Sequence, residues 1–187
     1  MAYLTRQEAI SISRSLWDTS KLAKSELKKS SSVAMKRRFD VFLSHSYEDA
    51  EVIAGVKAIL ENYGLSVYVD WITDKKLDRR KVTAETAQAL RKRMNHCKYL
   101  VFVTSKASPK SKWMPWELGY FDGRGKGRIG ILPIVENPNV SFSGQEYIGL
   151  YPSYEMLEIV DQGSQLAHWI NDTQFLLLKE KVRKSRA

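Results

Sequence analysis

The fold is decided by the stretch Tyr99-Leu-Val-Phe-Val-Thr104 and the segment that follows it, Ser105 to Glu117. The first stretch is an unbroken apolar run of strand length, which is typical of a strand buried on both faces of a parallel sheet. A polar loop follows, and Pro115 indicates a helix start, because proline is favoured at the first helical position. A strand, a loop and a helix in this order are the repeating unit of an α/β fold.

Glu117 lies where such a fold forms its ligand crevice, in the loops and helix starts that follow the carboxyl ends of the strands. It falls in the predicted first helical turn, near the positive end of the helix dipole, where a carboxylate stays ionised and can face a developing positive charge. Trp113, four residues earlier, can line the same pocket. The spacing fits a second interpretation equally well, in which Trp113 and Trp116 pack in the core and Glu117 caps its own helix.

Short apolar runs alternate with helical patterns from Phe39 onward, which predicts a parallel sheet with helices on both faces. The predicted strands are residues 40–43, 65–69, 99–104 and 129–134, with a weak fifth at 154–159, and a last helix follows Ser164. The fold class is therefore α/β, with a flavodoxin-like five-stranded parallel sheet of order 2-1-3-4-5. Its crevice lies where the strand order reverses, between the ends of strands one and three. Those ends carry Ser44-His45-Ser46 and the loop that leads to residues 113–117.

The chain divides into three predicted parts: an N-terminal helical extension and linker at 1–37, an α/β domain at 38–175 and a basic tail at 176–187. Thr5-Arg-Gln-Glu8 matches a capping box and predicts a helix from about residue 6 to residue 29. Ser30-Ser-Ser32 is the predicted linker. Because all five predicted strands lie downstream, we expect removal of residues 1–37 to leave the domain folded but to change its oligomeric state or its basal activity.

The net charge of +9 is carried by the two ends of the chain. Residues 1–39 hold nine Lys or Arg against three Asp or Glu, and residues 179–187 hold five against one. The remaining sixteen basic and seventeen acidic residues leave the body nearly neutral. Basic ends of this kind are more often solvated surface, or a loose anchor for acidic partners, than a nucleic-acid site. No specific nucleic-acid partner is therefore expected.

Cys97 is the only cysteine, which excludes an intrachain disulfide and a cysteine-based metal cluster. The three histidines lack the spacing of zinc ligands, so no metal is expected. No apolar run reaches the roughly eighteen residues of a membrane span, and the N-terminus lacks the apolar core of a secretory signal. These features predict a cytoplasmic protein that does not bind a membrane.

Three boxes resemble those of the Toll/interleukin-1 receptor (TIR) domain family. They are Asp40-Val-Phe-Leu-Ser-His-Ser-Tyr-Glu-Asp49, then Gly64-Leu-Ser-Val-Tyr-Val-Asp70 before the family's BB loop, then Ser111-Lys-Trp-Met-Pro-Trp-Glu-Leu118 as its Ser-x-Trp-x-x-x-Glu-Leu segment. The resemblance runs from about residue 39 to residue 134. The form of residues 113–123 is similar to prokaryotic TIR proteins, among them the TIR subunit of Thoeris anti-phage systems.

The resemblance implies an enzyme that cleaves the nicotinamide–ribose bond of NAD+, because catalytic TIR domains do so and need the glutamate of Trp-x-x-x-Glu. That catalytic glutamate is Glu117 here, with Trp113 as its neighbour. Nicotinamide leaves as a neutral ring, so the ribose acquires oxocarbenium character that a fixed carboxylate stabilises. Water as acceptor gives ADP-ribose, a nucleophile within the same molecule gives a cyclic isomer, and transfer to another small molecule is also open. No cofactor is implied besides NAD+, which is the substrate.

Further residues are implied as substrate-binding: Trp113, Ser44, His45, Ser46, Asp70, Trp71 and Tyr120. The first-strand loop of family members contacts the nucleotide, but many members carry an aromatic or basic residue where this chain has Ser-His-Ser. A role for His45 as a general base is open. The sequence shows no carboxylate to orient His45, which favours a plain hydrogen bond.

The BB loop, residues 70–82, is implied as the surface through which copies of the chain assemble head to tail. A separate effector protein would respond to the product nucleotide in anti-phage defence. The alternative is a non-enzymatic TIR scaffold that acts through homotypic assembly. A third hypothesis, a nucleoside-processing enzyme on a flavodoxin-like sheet, does not account for all three boxes.

Overall fold

A computed structural model describes residues 3–19, 37–62, 64–73, 82–125, 128–137, 144–159, 163–170 and 174–177. Within these ranges the strands are β1 (Leu4–Thr5), β2 (Phe39–Ser44), β3 (Val67–Tyr68), β4 (Cys97–Thr104), β5 (Ile129–Val135), β6 (Tyr154–Ile159), β7 (Gly163–Ile170) and β8 (Gln174–Leu177). The α-helices are α1 (Arg6–Thr19), α2 (Ala50–Asn62), α3 (Asp70–Thr73), α4 (Ala84–Asn95) and α5 (Trp113–Asp122). Short 3-10 turns cover Tyr47–Asp49, Ser108–Lys110 and Glu146–Leu150.

Five strands form one parallel sheet in the order β1-β5-β4-β2-β3. In this sheet β3, β2, β4 and β5 are the predicted strands two, one, three and four, and they lie in the predicted order. The α/β class and the five-stranded parallel sheet are therefore confirmed. Because all five strands are parallel, their carboxyl ends share one edge of the sheet, which is called the carboxyl edge below.

The fifth strand of the sheet is not the predicted one. Strand β1 occupies the position beside β5, with Leu4 paired with Ile134 and Thr5 with Val135. The edge of β5 is thus taken, at its carboxyl end, by a strand from the N-terminus. The expectation that all five strands lie after residue 37 is therefore wrong.

Residues 154–159 form β6 of a separate antiparallel sheet with β7 and β8. Next to the predicted fifth strand, Ser153 forms an isolated parallel bridge with Ile131 of β5, and the Tyr154 side chain packs against Gly130 of the same strand. The helix predicted after Ser164 is also wrong, because Gly163–Ile170 is strand β7. The ladder between β6 and β7 overrides the local cap signal of the serine.

The N-terminal segment is packed into the body of the fold. Its capping box is confirmed, since the Thr5 amide donates to Oε2 of Glu8 at 2.8 Å and the Glu8 amide donates to Oγ1 of Thr5 at 3.2 Å. Helix α1 approaches α2 so closely that a Cβ on Gly55 would lie 1.9 Å from the carbonyl oxygen of Ala9. Leu4 and Ala9 are buried. The three-part division of the chain stays a prediction, because residues 20–36 and 178–187 lie outside the described ranges.

Helices cover both faces of the sheet, as predicted. Successive strand residues alternate between the faces, so Val41 and Leu43 pack towards α1 and α2 while Phe42 packs towards α4 and α5. The helix that carries Glu117 therefore lies on the face to which Phe42 and Ser44 point. Among the residues that the structure describes, no helix has the length and apolarity needed to cross a membrane.

Candidate active site

Ser44 and Glu117 meet at the carboxyl edge of the sheet. Ser44 is the last residue of β2, and its Oγ donates to Oε2 of Glu117 at 2.6 Å. Both residues are fully buried, at 0% exposure. The first-strand loop and the Trp-x-x-x-Glu segment, which the sequence places at one crevice, are therefore in contact.

Glu117 lies deeper in its helix than Pro115 indicates. Helix α5 begins at Trp113, two residues before the proline, and Oγ of Ser111 accepts a hydrogen bond from the Met114 amide at 3.3 Å. The effect of the helix dipole is strongest in the first turn, and Glu117 lies beyond that turn. The prediction that placed Glu117 in the first turn is therefore wrong. Its Oε2 bonds to Ser44 of β2, so the carboxylate links two elements of the fold and does not cap its own helix.

Trp113 and Trp116 pack in the core, as the second interpretation of their spacing predicted. The Trp113 ring is buried in the apolar cluster of α4 and α5 and meets Trp116 edge to face, with 5.4 Å between ring centroids. The guanidinium of Arg91 lies 5.3 Å from the centroid of the Trp116 ring. Trp113 thus fixes α5 on the sheet one helical turn before Glu117, and its contact with substrate stays a prediction.

His45 and Asp70 form a buried pair beside this site. Nδ1 of His45 lies 2.8 Å from the carbonyl oxygen of Leu43, and because a carbonyl only accepts, Nδ1 carries the hydrogen. Nε2 of His45 lies 3.5 Å from Oδ1 of Asp70, which is within ion-pair distance, and both side chains are 2% exposed. The pair joins the end of β2 to the first residue of α3.

Asp70 brings to Nε2 of His45 a carboxylate that the sequence alone did not show, at ion-pair distance. Both ring nitrogens of His45 face protein oxygens, Leu43 on one side and Asp70 on the other. A general base needs a nitrogen directed at the substrate, and this arrangement directs neither. The geometry therefore favours the hydrogen-bonding role that the sequence analysis preferred, and it makes His45 and Asp70 supports of the crevice wall.

Ser46 begins the turn that follows β2. Its Oγ accepts from the Glu48 amide at 3.4 Å, and the residue is buried. This turn ends at Asp49, whose carboxylate is bound by two side chains, Nη1 of Arg6 at 2.7 Å and Oγ of Ser105 at 2.6 Å.

Two predicted site residues are not brought to Glu117 by the described contacts. Tyr120 stacks on Trp116 with 5.8 Å between ring centroids, and its hydroxyl donates to Oδ1 of Asn95 at the end of α4. Trp71 lies in the short helix α3, and its side chain is outside what the structure describes. Of the predicted BB loop at 70–82, residues 74–81 lie outside the described ranges, so its role in assembly stays a prediction.

Sequence reasoning missed the group formed by Arg6, Asp49 and Ser105. Arg6 and Asp49 are 43 residues apart, and Asp49 and Ser105 are 56 apart. Their contact depends on β1 lying beside β5, which no local pattern predicts. The available signal was the position of Asp49, an acid in the loop of strand one at the predicted crevice.

No group of three or more metal-binding side chains occurs among the described residues. Cys97 is buried, and this burial raises the pKa of its thiol to about 12, so the thiol stays protonated at neutral pH. The chemistry available at the carboxyl edge is therefore that of carboxylates, hydroxyls and an imidazole.

A parallel α/β sheet with a buried Trp-x-x-x-Glu carboxylate at its crevice is the arrangement that the TIR resemblance implied. A family model for the TIR domain matches residues 41–161, which is more than half of the chain. The chain belongs to the TIR domain family.

Two relatives of this chain have names that state an activity. One is 51% identical over 137 residues, which cover 73% of this chain and 70% of the relative, and is named as the probable 3' cyclic ADP-D-ribose synthase ThsB' of Bacillus cereus (strain MSX-D12). The other, TIR2 of Cytobacillus dafuensis, is provisionally named a cyclic ADP-D-ribose synthase and is 37% identical over 52% of this chain and 26% of its own length. The crystal structure of the TIR domain of the Toll-related receptor TRR-2 from Hydra magnipapillata is similar at a TM-score of 0.43, with 19% identity over 62% of this chain and 83% of that one.

Proposed function

We propose that this TIR protein cleaves the nicotinamide–ribose bond of NAD+ and closes the remaining ADP-ribose into a cyclic product. The observation that carries the proposal is the buried carboxylate of Glu117, held by the Ser44 hydroxyl at the crevice. The names of the two relatives, both cyclic ADP-D-ribose synthases, support the same reaction class.

In the proposed reaction the bond between the ribose anomeric carbon and the nicotinamide nitrogen breaks, and its electron pair leaves with nicotinamide, which becomes neutral. The ribose acquires oxocarbenium character, which the carboxylate of Glu117 stabilises. A nucleophilic atom elsewhere in the same molecule then bonds to the anomeric carbon and loses its proton. Attack by water in place of that atom would give linear ADP-ribose.

The Ser44 hydroxyl holds the carboxylate in the place where a ribose hydroxyl would bind. A ribose hydroxyl has the same chemistry as the serine, so substrate can replace Ser44 as the donor to Oε2 of Glu117 and keep that carboxylate oxygen hydrogen-bonded. Because the Glu117 side chain is fully buried, the side chains that cover it must move before substrate can reach its carboxylate. His45 and Asp70 support this wall from the side of β2 and α3.

The biological setting is proposed from the relatives and the family. The cyclic nucleotide would act as a signal to a separate effector protein in anti-phage defence of the Thoeris type, in the cytoplasm where NAD+ is available. Copies of the chain would assemble through residues 70–82, so that one copy closes the crevice of the next. A protein that assembles without consuming NAD+ would be the scaffold alternative.

The test is nicotinamide release from NAD+ by the purified protein, with mass spectrometry of the second product. Glu117→Gln keeps the side-chain volume and removes the charge, and Glu61→Gln makes the same change on an exposed residue at the end of α2. We expect a cyclic ADP-ribose mass from the wild type and from Glu61→Gln, but not from Glu117→Gln. If the folded wild type leaves NAD+ intact at protein concentrations at which it assembles, the result would support the non-enzymatic scaffold alternative. If linear ADP-ribose is the only second product, the reaction is hydrolysis and the proposed cyclic product is wrong.

A further inference from the structure

A chain of buried polar contacts connects the N-terminal unit of the fold, β1 and α1, to the loop that precedes the helix of Glu117. Arg6 directly follows β1, and its Nη1 contacts Oδ1 of Asp49 at 2.7 Å. Oδ2 of Asp49 accepts from Oγ of Ser105 at 2.6 Å, and Ser105 is the first residue after β4. Asp49 is 1% exposed, whereas Arg6 is 36% exposed.

Ser105 in turn fixes the loop of residues 105–111. Its Oγ accepts from the Ala107 amide at 3.0 Å, and its own amide donates to Oγ of Ser108 at 2.8 Å. Ser108 returns this contact to the end of β4, where its Oγ donates to the Val103 carbonyl at 3.2 Å. The loop ends at Ser111, whose Oγ accepts from the Met114 amide at the start of α5. The position of α5, and with it the position of Glu117, thus depends on a loop that is fixed at Ser105.

We infer that Arg6 is a positioning residue. Through its contact with Asp49, and the contact of Asp49 with Ser105, the N-terminal unit sets the geometry of the loop of residues 105–111. The inference rests on the proposed NAD+ cleavage for its effect on rate. The family model begins at residue 41, so Arg6 lies outside the part of the chain that the family match covers.

The physical reason is the burial of Asp49. A buried carboxylate must keep its donors, and losing the cation leaves an uncompensated charge in a site that water reaches poorly. Without Arg6 the turn of residues 47–49 must move towards solvent, which separates Asp49 from Ser105. The loop of residues 105–111 then loses its anchor, and a shift of about 1 Å at a reacting group can cost as much as a hundredfold in rate.

The chain offers a matched control. Arg14 is a second arginine on α1 that reaches over to α2, where it contacts Glu51 at 3.8 Å. Both side chains of that pair are largely exposed, at 73% and 66%. Arg14→Ala therefore removes an arginine and an interhelical ion pair but leaves the contacts of Asp49 with Arg6 and Ser105 in place.

The kinetic experiment compares Arg6→Ala, Arg6→Lys and Arg14→Ala well below their unfolding temperatures. We expect Arg6→Ala to lower kcat by about tenfold with little change in KM, because Arg6 does not touch the substrate. Arg6→Lys keeps a cation and should recover part of the loss, and Arg14→Ala should match the wild type. Ser105→Ala combined with Arg6→Ala should cost little more than Arg6→Ala alone, since both act on the same carboxylate. Equal kinetics for Arg6→Ala and Arg14→Ala would overturn the inference.

Hydrogen exchange provides a readout that does not need activity. Arg6→Ala should speed amide exchange in residues 105–112 while leaving the β2 and β4 strands as protected as in the wild type, and Arg14→Ala should leave both regions unchanged. Unaltered exchange in residues 105–112 of Arg6→Ala would overturn the inference even if activity fell. If the wild type releases no nicotinamide, the proposed function fails, and the exchange comparison still decides whether Arg6 controls the loop.

Discussion

Two buried carboxylates lie at the same edge of the sheet, and they are held in different ways. Asp49 is bound by the guanidinium of Arg6 and by the Ser105 hydroxyl, so a positive charge already sits on it. Glu117 is as deeply buried, and its Oε2 accepts from a neutral serine hydroxyl. A carboxylate paired with a cation is suited to fixing structure, and we propose that Glu117, whose Oε2 accepts from a hydroxyl, meets a new positive charge on the substrate. Burial alone therefore does not distinguish a catalytic acid from a structural one.

The largest effect is expected from removal of residues 1–37, which takes away Arg6 together with β1. The structure predicts the opposite of the sequence analysis, namely that the body will not fold normally. The exposed edge of β5 would be open to pairing with other chains, and Asp49 would keep a buried charge without its arginine. The measurement is thermal unfolding and size-exclusion chromatography of the truncated protein. A monodisperse body that melts at the wild-type temperature would show that the N-terminal unit is dispensable.

The next test exchanges the two acids for their amides. Glu117→Gln should lower nicotinamide release by about a hundredfold or more, because one preorganised electrostatic group is lost. Its melting temperature should stay the same or rise, since a buried charge has been removed. Asp49→Asn should lower the melting temperature and have a smaller effect on rate. If Asp49→Asn were the more damaging to rate and Glu117→Gln the more damaging to stability, the two roles would have to be exchanged.

Ser44→Ala tests whether the hydroxyl held by Glu117 is exchangeable. A hydrogen bond to a charged group contributes about 1.5–3 kcal/mol, so loss of the Ser44 donor would reduce kcat/KM by roughly tenfold or more if Ser44 still held Glu117 in the complex. We expect a smaller loss, because the ribose hydroxyl that replaces Ser44 restores the donor. Steady-state kinetics separate the two outcomes. Ser105→Ala is the matched change at Asp49, and because Ser105 also anchors the loop of residues 105–111, it should lower both the melting temperature and kcat.

The smallest effect is expected from a substitution at the contact between α1 and α2. Gly55→Ala places a methyl group 1.9 Å from the carbonyl oxygen of Ala9, and because that atom belongs to the backbone, the helices must separate. Overpacking of this kind costs about 1–3 kcal/mol in the free energy of unfolding. Denaturant unfolding measures this loss directly. Gly119→Ala provides the control, since a Cβ there has no neighbour within 4 Å, and an equal loss in both variants would contradict the packing argument.

Most of the sheet was predictable because its strands carry their own signals. Strands β2, β4 and β5 are six to eight residues long, contain apolar stretches and are buried throughout most of their length. Strand β1 has two residues, too few for any periodicity, and its place in the sheet is set by pairing with Ile134 and Val135 far along the chain. The helix predicted after Ser164 failed for a different reason, because the serine cap signal was given more weight than the antiparallel pairing of Gly163–Ile170 with β6.

The candidate site was predictable to the extent that the order of the strands was. Once strands one and three are neighbours, Ser44 and Glu117 must approach each other, and the structure shows them in contact. The partners of His45 and Asp49 were not predictable, because each comes from an element whose position depends on the whole sheet. Asp70 reaches His45 from the start of α3, and Arg6 reaches Asp49 from the strand that the sequence did not reveal.

The placement of β1 also has a consequence for biosynthesis. These two residues are synthesised long before their partners in β5, so β1 is made early and fixed in the sheet late. Long-range pairings of this kind form slowly, because a large loop must close before any contact is gained. A nascent chain that ends before Val135 has no complete β5 against which to align β1, and its Arg6 has no scaffold from which to reach Asp49. Prematurely terminated products would therefore lack the finished crevice, and translation itself would delay the onset of NAD+ consumption.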